Sequence, residues 1–175
     1  MAFTVDIHSP FLSGWRGEMG GPNHGGHRPP NWYVQYGMDL GVVTGTEVFA
    51  TFPGHVTRFR PHTPSEDTSH VYGAQLFMRF DNDMMGGFYT HITGSTFRVG
   101  QQINRGDRLG VTLRDHLHFA LVEIIGGVQN GGRYMGVDIF RHFVAMVSQP
   151  RRTDIPRALS VTFKQDGSPP DVISS

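Results

Sequence analysis

The chain has 175 residues, of which 38% are hydrophobic and 17% charged, with 23 Gly and 11 Pro. That length can bury one core without staples, and the composition excludes a coiled coil, a collagen-like rod and a charge-rich disordered tail. The formal net charge is zero, which gives no general pull toward nucleic acid or an anionic membrane, and the lack of cysteine leaves His, Asp, Glu and amides as the available metal ligands. No run approaches ~18 apolar residues, so no inserted membrane helix is expected. Met1–Asp6 opens without a basic stretch and an apolar core, so no signal peptide is visible and a cytoplasmic origin stays open.

Abundant Gly and Pro with few charges predict a mainly β protein with minor α. Residues 8–33 read as loop, because the run from Gly20 to Pro30 cannot hold a helix or a central strand. Strand signals follow at 47–51, 55–59, 75–80 and 87–92, separated by Pro53-Gly54 and by Asp81-Asn82-Asp83. Residues 96–112 mix β-branched residues with Gly. His116–Ile125 is the longest strand candidate and ends at Gly126-Gly127. Residues 137–147 predict one C-terminal helix, with apolar residues at 139, 140, 143, 144 and 147. Val161–Phe163 predicts an edge strand, 167–175 a frayed end, and 61–70 an exposed loop. Arg151-Arg152 reads as a solvated pair. A single domain is expected over 1–150, with 151–175 as a partly ordered extension.

Ten histidines make position more informative than number. In His116-Leu117-His118 strand alternation sends both imidazoles to one face, which suits a metal site, an acid/base pair or two plain surface residues. Asp115 places a carboxylate beside His116, able to orient the ring or merely to form a turn. Trp32, Tyr33 and Tyr36 flank the His/Gly loop, where flat rings suit sugar stacking or the rim of a core.

Tyr36-Gly37-Met38-Asp39-Leu40, then Gly45–Ala50 with Pro53–Val56, resembles the first block of the lysostaphin/LytM-type zinc endopeptidases. Tyr89-Thr90-His91-Ile92, Val99–Gly110, His116–Phe119 and Val137–Phe140 continue that family's order, from about Leu12 to Phe143. The resemblance implies an antiparallel β-sheet groove holding one zinc, with Asp39 and His118 as ligands. It further implies His116 as general base and His91 as donor to the oxyanion. The implied substrates are peptide links of bacterial peptidoglycan, cut outside the cell or at its surface.

One position departs from the family pattern. Four residues before Asp39, where the family has His, stands Gln35. An amide oxygen is a weaker zinc ligand than imidazole. Three readings stay open. Gln35 is a weak ligand or sits behind the ligands; His24 or His27 folds back from the Gly-rich loop to complete the site; or Gln35 is an inactivating change. The stretch before His116 is also short, since Gly110–Asp115 runs almost directly into it. Two functions therefore compete. The first is a zinc peptidase acting on cell-wall cross-links through Asp39, His91, His116 and His118. The alternative is a silent member of the fold that binds peptidoglycan, another cell-surface glycan or a receptor, with Trp32, Tyr36 and Asp115 as substrate contacts. Oligomeric state is not legible.

Overall fold

The structure is a computed structural model that describes residues 1–149 and 157–174. In chain order the strands are β1 (Phe3–His8), β2 (Trp15–Gly20), β3 (Met38–Val42), β4 (Glu47–Phe49), β5 (Gly54–Arg60), β6 (Ala74–Arg79), β7 (Met85–Thr93), β8 (Gln102–Ile103), β9 (Arg108–Thr112), β10 (His116–Ile125), β11 (Arg133–Val137), β12 (Ala158–Phe163) and β13 (Asp171–Ser174). Two helices interrupt them, the four-residue α1 (Trp32–Gln35) and α2 (Phe140–Val147). The large sheet runs β2-β3-β10-β7-β6-β5-β8, with β11 added to β10 and β9 joining β4 to β7. All of its pairings are antiparallel. The expected mainly β architecture is the observed one.

Alternation along the central strands decides which residues reach the core. Met38, Leu40 and Val42 of β3, Leu117, Phe119 and Leu121 of β10, and Tyr89 of β7 join one buried cluster. Their neighbours in sequence, Asp39, His116, His118 and Thr90, then face the opposite side, because successive strand residues alternate. Tyr89 is fully buried with its hydroxyl spent on Thr51, 2.7 Å to Oγ1 and 3.0 Å from the backbone N–H. Each fully buried Leu or Phe here contributes on the order of 1.5–3 kcal/mol by leaving water.

Several local expectations give way to tertiary pairing. The 8–33 stretch contains β2 and most of α1's approach. β2 is held by β3 through a pairing with two register shifts, an irregular strand that Gly17 and Gly20 permit. Val137 ends β11 instead of starting a helix, so α2 is shorter than the apolar spacing suggests and begins at Phe140. Residues 161–163 belong to no edge: β12 is the middle strand of a second sheet, β1-β12-β13, and pairs along its length with β1. The expected frayed end is β13. No short-range pattern near 160 announces a partner more than 150 positions away. α2 lies against β12 and β13 and sends Phe143 onto Phe119 of β10, ring centroids 5.4 Å apart. Among the described residues no helix is long and apolar enough to cross a membrane. Arg151-Arg152 and the 150/151 boundary lie outside the described residues.

Candidate metal centre

Strand register builds the first half of the site. His118 sits opposite Asp39 on β3 and opposite Thr90 on β7, so the three side chains form one row across the sheet. Asp39 Oδ1 lies 3.0 Å from His118 Nδ1. His116, two residues earlier, shares that face, with Nε2 3.8 Å from the same carboxylate oxygen. Gly37 is needed here, because a Cβ at that position would run into the His118 ring.

A bulge supplies the next residue. Across β6–β7 the register jumps from Ala74↔Ile92 to Gln75↔Thr90, leaving His91 as the extra residue, with φ +68°. Regular alternation would send Thr90 and His91 to opposite faces; the bulge lets both line the same cleft. A non-glycine residue at positive φ costs on the order of 1–3 kcal/mol, which the packing around His91 must outweigh. The ring is stacked on Tyr72, centroids 3.8 Å apart.

The second half comes from a loop. His27 Nε2 lies 3.1 Å from Asp39 Oδ2. One donor atom each from His27, Asp39 and His118 fall within 4.8 Å of one another. The cleft around them holds about 560 Å³ and is lined by residues that include His24, Tyr33, Tyr72, His91 and His116.

Hydrogen bonds behind the rings fix which nitrogens face that point. His118 Nε2 is 2.7 Å from the Tyr33 carbonyl oxygen and His27 Nδ1 is 2.8 Å from that of Gly21. A carbonyl only accepts, so those nitrogens carry the protons and donate. In the neutral rings, His118 Nδ1 and His27 Nε2 then turn lone pairs toward an acceptor-only carboxylate. Such an arrangement needs a proton or a cation between its members, and it is the usual outer support of a metal-binding imidazole. The carboxylate is held ionised. Burial alone would raise the Asp39 carboxyl, but with a proton in that place the hydrogen bonds and charge from His118 and His27 outweigh it and hold it well below the usual carboxylate range. The Asp39 hydrogen bond correspondingly raises His27, against burial. Two imidazoles and one carboxylate fit zinc, and three protein ligands leave a fourth position open.

Asp115 Oδ1 lies 2.9 Å from His116 Nδ1, which places the proton on Nδ1 and leaves Nε2 as an acceptor facing the centre. His91 is set up in the same sense. Its Nδ1 donates to the Tyr72 carbonyl at 3.0 Å, and burial lowers its pKa to about 3, so the ring is neutral with a lone pair at Nε2. Donation from His91 to an oxyanion, expected from the resemblance, is not what this orientation provides. The nearby donor is Tyr72, which lies two residues beyond the 61–70 stretch expected as an exposed loop and belongs to none of the motifs. Tyr72 is buried, its hydroxyl is 3.3 Å from His116 Nδ1, and burial raises its pKa, so it keeps its proton. Arg114 covers its ring at 4.1 Å, on the face that His91 leaves free.

Other sequence candidates lie elsewhere. Gln35 does not line the cleft; its amide Nε2 donates to Asn23 Oδ1 at 2.7 Å. It is no ligand in this arrangement, because its side chain ends on Asn23. His24 lines the cleft, and it is His27 that joins Asp39 and His118 in the donor group. Tyr36 packs over Gly136 of β11 and Trp32 sits edge-on to Tyr33 and Phe77; neither lines the cleft, whereas Tyr33 does. Trp32 is drawn off by aromatic packing and Tyr36 by the space over Gly136. Asp115 serves His116. His62 is occupied by Asp67 and Thr93.

No family model and no curated protein matches the chain. Solved structures do. Lysostaphin from Staphylococcus simulans superposes with a TM-score of 0.55 at 19% identity, over 86% of this chain and 59% of that one. The fold is that of the lysostaphin/LytM-type metallopeptidases. A zinc-containing peptidase from Vibrio cholerae gives a TM-score of 0.50 at 20% identity, over 75% of this chain and 39% of that one. The solution structure of lysostaphin gives 0.50 at 16%, over 89% and 66%. This chain thus spans well under two thirds of the Vibrio peptidase and less than two thirds of the first lysostaphin structure. In the lysostaphin-type fold described here, the His27/Asp39/His118 group is one that can hold a metal ion.

Proposed function

We propose that this protein is a zinc-dependent peptide hydrolase acting on peptide links of bacterial peptidoglycan, outside the cell or at its surface. The observation that carries the reading is the convergence of lone pairs from His27 and His118 on the ionised Asp39, beside a third imidazole oriented by Asp115. His27, Asp39 and His118 would hold the metal. Bound there, zinc supplies Lewis-acid polarisation of a carbonyl and a water acidified toward pKa ~7. His116 takes a proton at Nε2, while Asp115 accepts from Nδ1–H and steadies the imidazolium that forms. Tyr72 donates its hydroxyl proton toward charge developing on the substrate oxygen, the kind of stabilisation a buried donor provides. His91 fills the wall behind Tyr72 and accepts at Nε2. Tyr33, Phe88 and Val34 give the cleft an apolar floor that limits water.

The test has two stages. Purified protein, stripped and reloaded, should bind one zinc per chain, and His118→Ala should not. Loaded protein should clear a suspension of cell walls, and His116→Ala should not. One bound zinc without clearing of any wall tested would sink the hydrolase reading and favour a wall- or glycan-binding role. No bound zinc would sink the metal centre.

A further inference from the structure

Gln35 stands where a ligand was expected, and its side chain has another partner. Its Nε2 donates to Asn23 Oδ1 at 2.7 Å, and the Asn23 N–H donates back to the Gln35 carbonyl at 2.8 Å. Two bonds thus join the end of α1 to one residue of the loop that carries His27. Asn23 sits at φ +61°, a conformation asparagine tolerates better than most residues. From there the loop is wound on itself. The His24 N–H donates to the Gly21 carbonyl at 3.2 Å, the His27 N–H to the His24 carbonyl at 3.0 Å, and the His27 ring to Gly21 again at 2.8 Å. The start of the turn is pinned as well. Gly21 lies so close to Phe140 of α2 that a Cβ there would enter the ring. The wound segment therefore has two anchors, Phe140 at Gly21 and Gln35 at Asn23, and His27 at its far end.

We propose that Gln35 and Asn23 form a latch that seats the 21–27 loop, so that a histidine borrowed from the loop completes the metal centre. Gln35 is then a positioning residue: it acts on the metal through His27. The side chain at 35 has exchanged the work of a ligand for the work of holding the replacement ligand. Loss of one exposed hydrogen bond leaves the fold intact but lets the loop sample positions in which His27 is withdrawn. Apparent affinity falls by the fraction of molecules still seated.

The inference rests on His27 being a ligand, so both are read in one experiment. Zinc affinity is measured by chelator competition on the full chain, with the melting temperature of the metal-free protein alongside. Gln35→Met keeps the length and removes the donor; Asn23→Gly removes the acceptor and tolerates the backbone. Each should weaken zinc about tenfold, the effect of one lost hydrogen bond. The double variant should be no worse than either single, since both break the same contact. Asn23→Asp keeps an acceptor for Nε2 and should stay within about twofold of the parent. Melting temperatures should agree within about 2 °C. His27→Ala should abolish tight binding. If His27→Ala abolishes it and Gln35→Met matches the parent, the latch is wrong and the ligand reading stands. If His27→Ala matches the parent, the ligand reading itself is wrong and the latch goes with it. Additive losses in the double variant would also overturn the latch, since they would give each residue a separate role.

Discussion

Two parts of the molecule meet at Asp39, and they are held by different physics. One part is sheet. Asp39 and His118 face each other because β3 and β10 are paired over four residues, a register that the six-residue pairing of β10 with β7 supports from the other side. A slip of β10 by one residue would turn His116 and His118 toward the core and away from Asp39. The other part is loop. His27 reaches the same carboxylate from a Gly-rich segment whose place depends on Gly21 against Phe140 and on Asn23 against Gln35. The sheet half is fixed by cooperative pairing, and the loop half by a few local contacts. The difference teaches that the proposed centre would take two of its ligands from positions the sheet fixes and the third from a loop that needs anchors of its own.

The comparison breaks most completely on the sheet side. Asp39→Ala removes the group both imidazoles face, and zinc affinity should fall by more than about 100-fold, beyond the 10–100-fold typical of losing a supporting partner. Competition titration reads this, and an unchanged affinity would remove Asp39 from the centre. Next is Gly37→Ala, which forces a methyl into the His118 ring. Overpacking of this kind costs about 1–3 kcal/mol, or roughly 3–10 °C in melting temperature for a chain of this size, and zinc affinity should fall with it. A normal melting temperature with normal zinc binding would mean that the His118 ring has room the structure does not give it.

Tyr72→Phe keeps the stack on His91 and the backbone carbonyl and removes only the hydroxyl. Turnover of a wall peptide should drop about tenfold with KM within about twofold, because the lost donor serves developing charge more than binding. Unchanged kcat would return the donor role to another group. The smallest effect belongs far from the centre. Glu47→Gln breaks an exposed pair with Arg108, 3.1 Å apart, and should leave stability within about 0.5 kcal/mol and zinc affinity untouched. A change in zinc binding there would show that the two halves of the site respond to the whole sheet and not to their local anchors.

The strand-borne half of the centre was legible in the residues. His116-Leu117-His118 puts two imidazoles on one face by alternation alone, and the blocks around Asp39 and His91 appear in an order that pointed to the fold. The loop-borne half was legible only as an alternative. His24 and His27 were equal candidates, and nothing in a Gly-rich stretch states which one turns inward. The orientation of the His91 ring was not legible for a related reason. Its backbone lies in a bulge, and the nitrogen that bears the proton is chosen by the Tyr72 carbonyl, a contact across 19 positions. Tyr72 itself carried no motif.

The sequence by itself determined the β-rich class, several of the strands and the shared face of His116 and His118, because alternation and turn chemistry are local. Only the tertiary structure decided that residues 3–8 pair with 158–163, that His27 faces Asp39 while Gln35 faces Asn23, and which ring nitrogens keep their protons. Those outcomes depend on groups that are distant along the chain and meet only once the sheet has closed, so no window of neighbouring residues contains them.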